Sequence, residues 1–425
     1  MPELTAFRGL RYDTRAVTDI SAVLCPPYDV ISADERARLA SVDPRNAVHV
    51  ELPAASGAES PYEAAARMVE DWIVGGTLRR DDQPMIYVYE QRYALGDGVE
   101  RSAMGFFCRL RLEPYGPDSG VLPHEHTMSG PKEDRFRLLT AVRANLSPVL
   151  FLYDDGDHGA ASAALLDVVT EREPDVEGVG PGGLVNRLWV VDPESVGAAR
   201  ELLAIASARS IYIADGHHRY ETALRYRDTA SAADAPDADF VLSLMYDAHS
   251  GGLALLPWHR VLRGVDARGL LDGLEQWFSL ERDVSLDRLL GQLDSSSEAG
   301  VIGAWTRDAG GAILRVERHR IEAVLPGAES ETLRWLDVSV LSATLSAMVD
   351  VPLSELAAQG RLTYVSDARA AMASVDLGDA DVAFLLRPTP TDAVLDVAAA
   401  GGYMPAKSTF FHPKAATGLV FNPLW

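Results

Sequence analysis

Ser210-Ile211-Tyr212-Ile213-Ala214-Asp215-Gly216-His217-His218-Arg219-Tyr220 reads as a strand that passes through a tight turn into a helix. Ile211, Tyr212 and Ile213 are the β-branched and aromatic types that favour strands, and Asp215-Gly216 ends the run. Glycine accepts the backbone of a sharp turn and lets a ligand come close. The first N–H groups of the helix that follows favour an anion. Arg219 can hold phosphate oxygens through two parallel N–H bonds, and His217 and His218 add donors at the same end. Asp215 is placed to accept a hydroxyl proton or to help hold Mg²⁺. A capped helix start with a structural histidine would explain one His here. An Asp, two His and an Arg packed behind one strand point to a site. Asp215→Ala is then expected to remove activity and leave the fold intact.

Outward from the turn, a helix over 195–207 leads into the strand, and a second helix runs on from about Tyr220. Residues 229–239 and 294–300 read as low-complexity acidic loops, and 171–183 as a charged, Gly/Pro-rich surface loop. Upstream, Ala65, Met68, Val69, Trp72 and Ile73 mark one face of a helix closed by Gly75-Gly76. The runs 85–93 and 104–112 read as paired strands, 134–144 as a helix, and Val149–Tyr153 as a strand after Ser147-Pro148. Cys25-Pro26-Pro27-Tyr28-Asp29 is extended, because a proline restricts the residue before it. No repeat recurs at a fixed period. The pattern predicts a multi-domain, mixed α/β (α+β) chain. Its expected domains are 1–155, α+β; 156–265, carrying the turn; and 266–425, α+β and ending in Met404-Pro405-Ala406-Lys407-Ser408-Thr409.

The chain has 425 residues, 47% of them hydrophobic, which is ample for large cores. A net charge of −23 opposes binding to duplex DNA, where Lys and Arg must displace counterions. A local basic pocket for a small anion remains compatible with that far field. Cys25 and Cys108 make neither a disulfide framework nor a zinc cluster and suit a reducing compartment. The N-terminal residues lack the apolar core of a signal peptide, and no long uncharged apolar run suggests a membrane span. A soluble, cytoplasmic protein is expected.

Two further stretches concentrate chemistry. His124-Glu125-His126-Thr127-Met128-Ser129-Gly130-Pro131-Lys132-Glu133-Asp134-Arg135 surrounds a Gly-Pro turn with ionisable groups. Lys132 and Arg135 could contact an anion and Glu125 could act as a base, whereas an exposed loop would leave them all solvated. His124 and His126 sit two apart, as on one face of a strand, but no third metal ligand is fixed by spacing. Gly401-Gly402-Tyr403-Met404-Pro405-Ala406-Lys407-Ser408-Thr409 nearly spells a P-loop, with Ala406 where the second glycine belongs. The residues that follow look extended and then broken at Pro413, so this is no Walker motif. Lys407, Ser408, Thr409 and Lys414 could still donate to an anion, or the tail could be an ordinary strand that buries Phe410 or Phe411. Trp258-His259-Arg260 closes a hydrophobic segment and could line the same cleft, with a structural role the expected one.

The chain resembles a bacterial family catalogued as domain of unknown function ten-fifteen. The resemblance is carried by Phe7-Arg8-Gly9-Leu10, Pro26-Pro27-Tyr28-Asp29-Val30-Ile31-Ser32, the run from His124, the Asp215 turn and the run from Met404. The turn itself resembles the Asp-Gly-x-x-Arg phosphate-binding turn of the ParB/sulfiredoxin superfamily, in the His-His form of archaeal free-serine kinases. That likeness implies a nucleotide-dependent kinase for a small hydroxyl compound, with L-serine converted to O-phosphoserine the leading candidate. ATP or ADP would be the donor, with Mg²⁺ brought in by the nucleotide and no metal fixed by the protein alone, Asp215 aside. Asp215, His217, His218 and Glu125 are the catalytic candidates. Gly216, Arg219, His124, Thr127, Lys132, Arg135, Lys407, Ser408, Thr409 and Lys414 are the candidates for binding phosphate and nucleotide. The alternatives are a nucleotide-binding regulatory switch without turnover and a metal-assisted hydrolase. Small molecules are the expected partners, not nucleic acid or membrane, and a homodimer stays open.

Overall fold

A computed structural model describes residues 1–425 apart from 56–58, 117, 128, 297–298, 326, 328–329 and 350, and only the backbone of 129–131. Met128 of the histidine-rich run and part of the acidic loop 294–300 therefore lie outside the described residues. The chain is mixed α/β and divides into two units. The first comprises 1–123, 127–254 and 413–425, and the second 124–126 and 255–412. The division expected from sequence puts a boundary at 155. The structure overturns it, because strands on both sides of that point pair within one sheet. The second limit falls at 254/255 instead of 265, and the chain returns to the first unit at Pro413.

In the first unit a nine-stranded sheet runs in the order Val121–Leu122, Ile211–Asp215, Val149–Tyr153, Phe240–Asp247, Glu100–Arg111, Ile86–Ala94, Val185–Val191, Val176–Val179. Leu4–Thr5 pairs as well with Glu100–Arg111. Ile211–Asp215 lies parallel to Val121–Leu122, and Val149–Tyr153 parallel to Phe240–Asp247, while the other pairings are antiparallel. Val149–Tyr153 and Phe240–Asp247 are buried at every position, as central strands covered on both faces must be. Phe106, Cys108, Phe151, Ile213 and Tyr220 belong to one core cluster.

Local sequence explains most elements. The helix Pro61–Val74 starts from a capping box between Ser60 and Glu63 and has Pro61 in its first turn. Its buried face includes Ala65, Val69 and Trp72, and Gly75 closes it. The helix expected at 134–144 begins earlier and spans Ser129–Val142. The Gly-Pro pair thus opens a helix, where proline's missing N–H is harmless, and does not form a free-standing turn. The helix after the turn likewise starts at His217, not Tyr220. The segment 171–183 contains the edge strand Val176–Val179, whose alternating burial a Gly/Pro-rich composition hides.

The second unit holds a fully antiparallel six-stranded sheet. Its order is Phe278–Val284, Gly310–Val316, Val301–Thr306, Val382–Leu385, His259–Leu262, Leu362–Val365. Among the described residues no helix is long and apolar enough to cross a membrane.

Candidate functional site

Asp215 ends its strand just past a register shift: Ile213 pairs with Phe151, whereas Asp215 pairs with Leu150. A bulge of this kind re-aims the side chain beyond it. Gly216 then takes φ +93° and precedes the helix His217–Thr229. A Cβ on Gly216 would lie 2.9 to 3.1 Å from the Arg219 guanidinium, so the turn needs glycine for its backbone and for that close approach. Arg219 folds back to donate from Nη2 to Asp215 Oδ2 at 2.6 Å, and its Nη1 donates to the Pro148 carbonyl. The N–H groups of His217, His218 and Arg219 lie in the first helical turn, where no intrahelical acceptor is available.

Lys414 closes the arrangement by donating from Nζ to Asp215 Oδ1. The tail that carries it is tied down by Cys25 and Thr417, which exchange backbone bonds of 3.1 and 2.8 Å, and by Leu10 paired with Phe421. Gln91 Nε2 also donates to the Lys414 carbonyl at 3.1 Å. The side chains of Asp215, Arg219 and Lys414 are only 18%, 12% and 13% exposed. Burial pushes the Asp215 pKa up, but Lys414 and Arg219 outweigh it and hold the carboxyl well below the usual range. One carboxylate faces two cations beside a helix N-terminus, and Asp29 and Glu51 add negative charge near Arg219.

A cavity of about 50 Å³ adjoins Arg219 and is lined also by Tyr28, Glu51, Arg135, Ser147 and Thr222. That is room for a few water-sized groups, since one water needs about 10–15 Å³ of such space. Arg219 and Thr222 stand three apart on one helix face. The Arg135 guanidinium lies 4.3 Å from the Tyr28 ring centroid and donates to the Glu51 carbonyl at 2.7 Å. Glu51 Oε1 accepts from Ser147 Oγ at 2.6 Å and from the Tyr28 N–H at 3.2 Å. Burial raises the Tyr28 hydroxyl to a pKa of about 12, so it stays a neutral donor. Thr222 is 3% exposed, and its Oγ1 has no hydrogen-bond partner among the described residues. Such a group is costly unless something fills the cavity.

Glu51, Ser147 and Thr222 escape the sequence reading. Glu51 lies in Val48-His49-Val50-Glu51-Leu52, an apolar run with no local sign of chemistry. Thr127 and Lys132 lead to a fourth missed residue, since both donate to Glu221 Oε2, one turn along the helix from His217. Arg135, Lys132, Thr127, Lys414 and the Asp215 turn thus all belong to the first unit.

His124, Glu125, Lys407, Ser408 and Thr409 belong to the second unit and meet one another there. His124 Nε2 and Thr409 Oγ1 are 3.0 Å apart, the Met404 N–H donates to the His124 carbonyl at 2.8 Å, and the Lys407 N–H reaches Glu125 Oε1 at 3.4 Å. The tail is the strand Phe410–His412, with Phe411 1% exposed, and no helix follows Lys407. Among the described residues no group of three or more His, Cys, Asp or Glu is arranged to hold a metal ion. Both Asp215 oxygens already face cations, which disfavours a bound Mg²⁺ at that carboxylate.

No curated protein matches the chain. Among solved structures it is similar to a conserved hypothetical protein from Pyrococcus furiosus, at 13% identity and a TM-score of 0.37. That match covers 72% of this chain and 94% of the other. It is similar to a free serine kinase in complex with AMP at 12% identity and a TM-score of 0.39, covering 72% and 88%. A C-terminally truncated SbnI from Staphylococcus aureus matches at 14% identity and a TM-score of 0.37, covering 72% and 84%. Residues 4–339 match the family model described as "Protein of unknown function (DUF1015)", and the chain belongs to that family.

Proposed function

We propose that the first unit is a small-molecule phosphotransferase whose phosphate site is the turn Asp215–Arg219 completed by Lys414. The observation that carries this reading is the buried Lys414–Asp215–Arg219 cluster at a positive-φ glycine opening a helix. Phosphoryl transfer is mostly positioning and charge stabilisation, and fixed cations with helix N–H groups supply both. A nucleotide, ATP or ADP, is the donor, and Mg²⁺ arrives on its phosphates. The acceptor is a small hydroxyl compound, with L-serine the first to try on the strength of the Asp-Gly-His-His-Arg resemblance.

Asp215 organises the two cations in this scheme, because a carboxylate held so low is a weak proton acceptor. Glu51 is the carboxylate that borders the cavity beside Arg219 and is our choice for receiving the hydroxyl proton. Purified protein with ATP or ADP, Mg²⁺ and L-serine should form O-phosphoserine. Arg219→Lys, which loses the planar fork, should lower kcat/KM at least about tenfold. Absence of phosphorylated product across a panel of hydroxyl compounds would sink the idea. A second reading, a nucleotide-binding switch without turnover, draws on the same depressed Asp215. It expects nucleotide binding by calorimetry with no product at all.

A further inference from the structure

The second unit contains a cavity of about 630 Å³, well inside the range of about 300–1,000 Å³ typical of small-molecule sites. Apolar side chains such as Leu336, Leu386 and Pro390 form much of its wall, and Trp258, Arg260 and Ser408 stand in it. Arg260 is 4% exposed. Its guanidinium donates to two neutral acceptors, the Trp258 carbonyl and the Ala406 carbonyl (3.2 Å), and lies 5.3 Å from the Tyr364 ring centroid. Among the described residues no carboxylate stands within ion-pairing distance of it. Burial pulls its pKa down to about 10, against the weaker pull of Tyr364 and Glu125. Arg387, on the same cavity, does carry its counter-ion, bonded to Asp337 at 2.7 and 2.9 Å.

A second cation converges on Trp258. Lys407 adopts φ +57°, a strained conformation for a lysine, and its ammonium lies 5.1 Å from the Trp258 ring centroid. It too has no carboxylate within ion-pairing distance among the described residues. Phe410 packs against the same ring, 4.8 Å between centroids. Lys407 and Phe410 thus both engage the Trp258 ring. An uncompensated buried guanidinium is expensive to maintain, and a fold retains one where an anion completes it. Among the described residues, the only other charge on the wall outside the Arg387–Asp337 pair is Asp294, which is exposed and hence solvated.

We infer that the cavity of the second unit binds a small organic anion, its carboxylate or phosphate on Arg260 and its aliphatic body against the apolar wall. This goes beyond the phosphotransferase reading and does not depend on it. The test uses the full chain, with thermal unfolding and calorimetry against inorganic phosphate and against isobutyrate, which separate the two anion chemistries. At least one anion should raise Tm saturably, and the effect should persist in Arg219→Met, in which the first unit's site is lost. Arg260→Met should melt no lower than the parent without anion, because a buried charge is gone, and should bind the anion at least about tenfold more weakly. Lys407→Gln should weaken binding by a smaller factor. Three outcomes overturn the inference: no response to either anion, a response abolished by Arg219→Met alone, or undiminished binding in Arg260→Met. Where Arg260→Met does not fold, Arg260→Lys carries the test, and binding as tight as the parent's then counts against the inference.

Discussion

Asp215 balances two buried cations, so its removal acts on stability before it acts on chemistry. Asp215→Ala strands Lys414 and Arg219 in a site where each is less than a fifth exposed. A loss of roughly 3–5 kcal/mol follows for a broken buried pair, read as a lower urea midpoint at pH 7. The intact fold expected for that variant from sequence alone overlooks the partner 199 residues away. Its depressed pKa means that an unfolded chain takes up the proton first as pH falls, so the cluster's contribution is full above the ordinary carboxylate value. It drains away below that value. His259 behaves differently. Its Nδ1 accepts from the Leu386 N–H at 3.1 Å, and burial lowers its pKa from 6.5 to about 4. Between those values the unfolded chain binds the extra proton and the folded one does not, so stability is full above pH 6.5 and falls by roughly 3 kcal/mol towards pH 4. His259→Asn, which keeps an acceptor and cannot be charged, should flatten that part of the unfolding profile.

At the scale of elements, the strand, turn and helix around Asp215 stand on one glycine and one bulge. Gly216→Ala forces a methyl group against the Arg219 guanidinium at a backbone angle that L-residues avoid. It should cost about 1–3 kcal/mol in thermal unfolding and weaken phosphate binding in calorimetry, because Arg219 must move. These elements were legible because their signals are local: β-branched runs for Val149–Tyr153 and Ile211–Asp215, a glycine at the turn, a capping box before Pro61–Val74. The bulge between Ile213 and Asp215 was not, since it exists only relative to the register of Val149–Tyr153. Glu51 and Thr222 escaped for the same reason: each becomes noticeable only when folding puts it beside Arg219. Arg260, read from sequence as structural, draws notice only through the counter-ion that folding does not bring it.

On the scale of the whole chain, the domain limits were hidden because the first unit is built from three separate stretches, with 255–412 inserted before the last of them. Composition shifts mark linkers, and an insertion that leaves and re-enters through strands, Ala254–Leu256 and Phe410–His412, has none. The family was legible, since four of the five stretches that carry the resemblance lie within the matched residues 4–339, the run from Met404 falling beyond them. Cys25 and Cys108 are fully buried, and burial raises both thiols. The native protein should therefore resist a thiol reagent, and two thiols should titrate after denaturation. Rapid labelling of the folded form would contradict the packing around the strands that hold them. The tail that brings Lys414 to Asp215 also sets a clock. On a ribosome adding about 5–20 residues per second, Asp215 and Arg219 emerge roughly 10–40 s before the lysine 199 positions later. During that interval a nascent chain carries a half-made site, so translation that stalls within the inserted unit releases protein that has the turn but cannot use it.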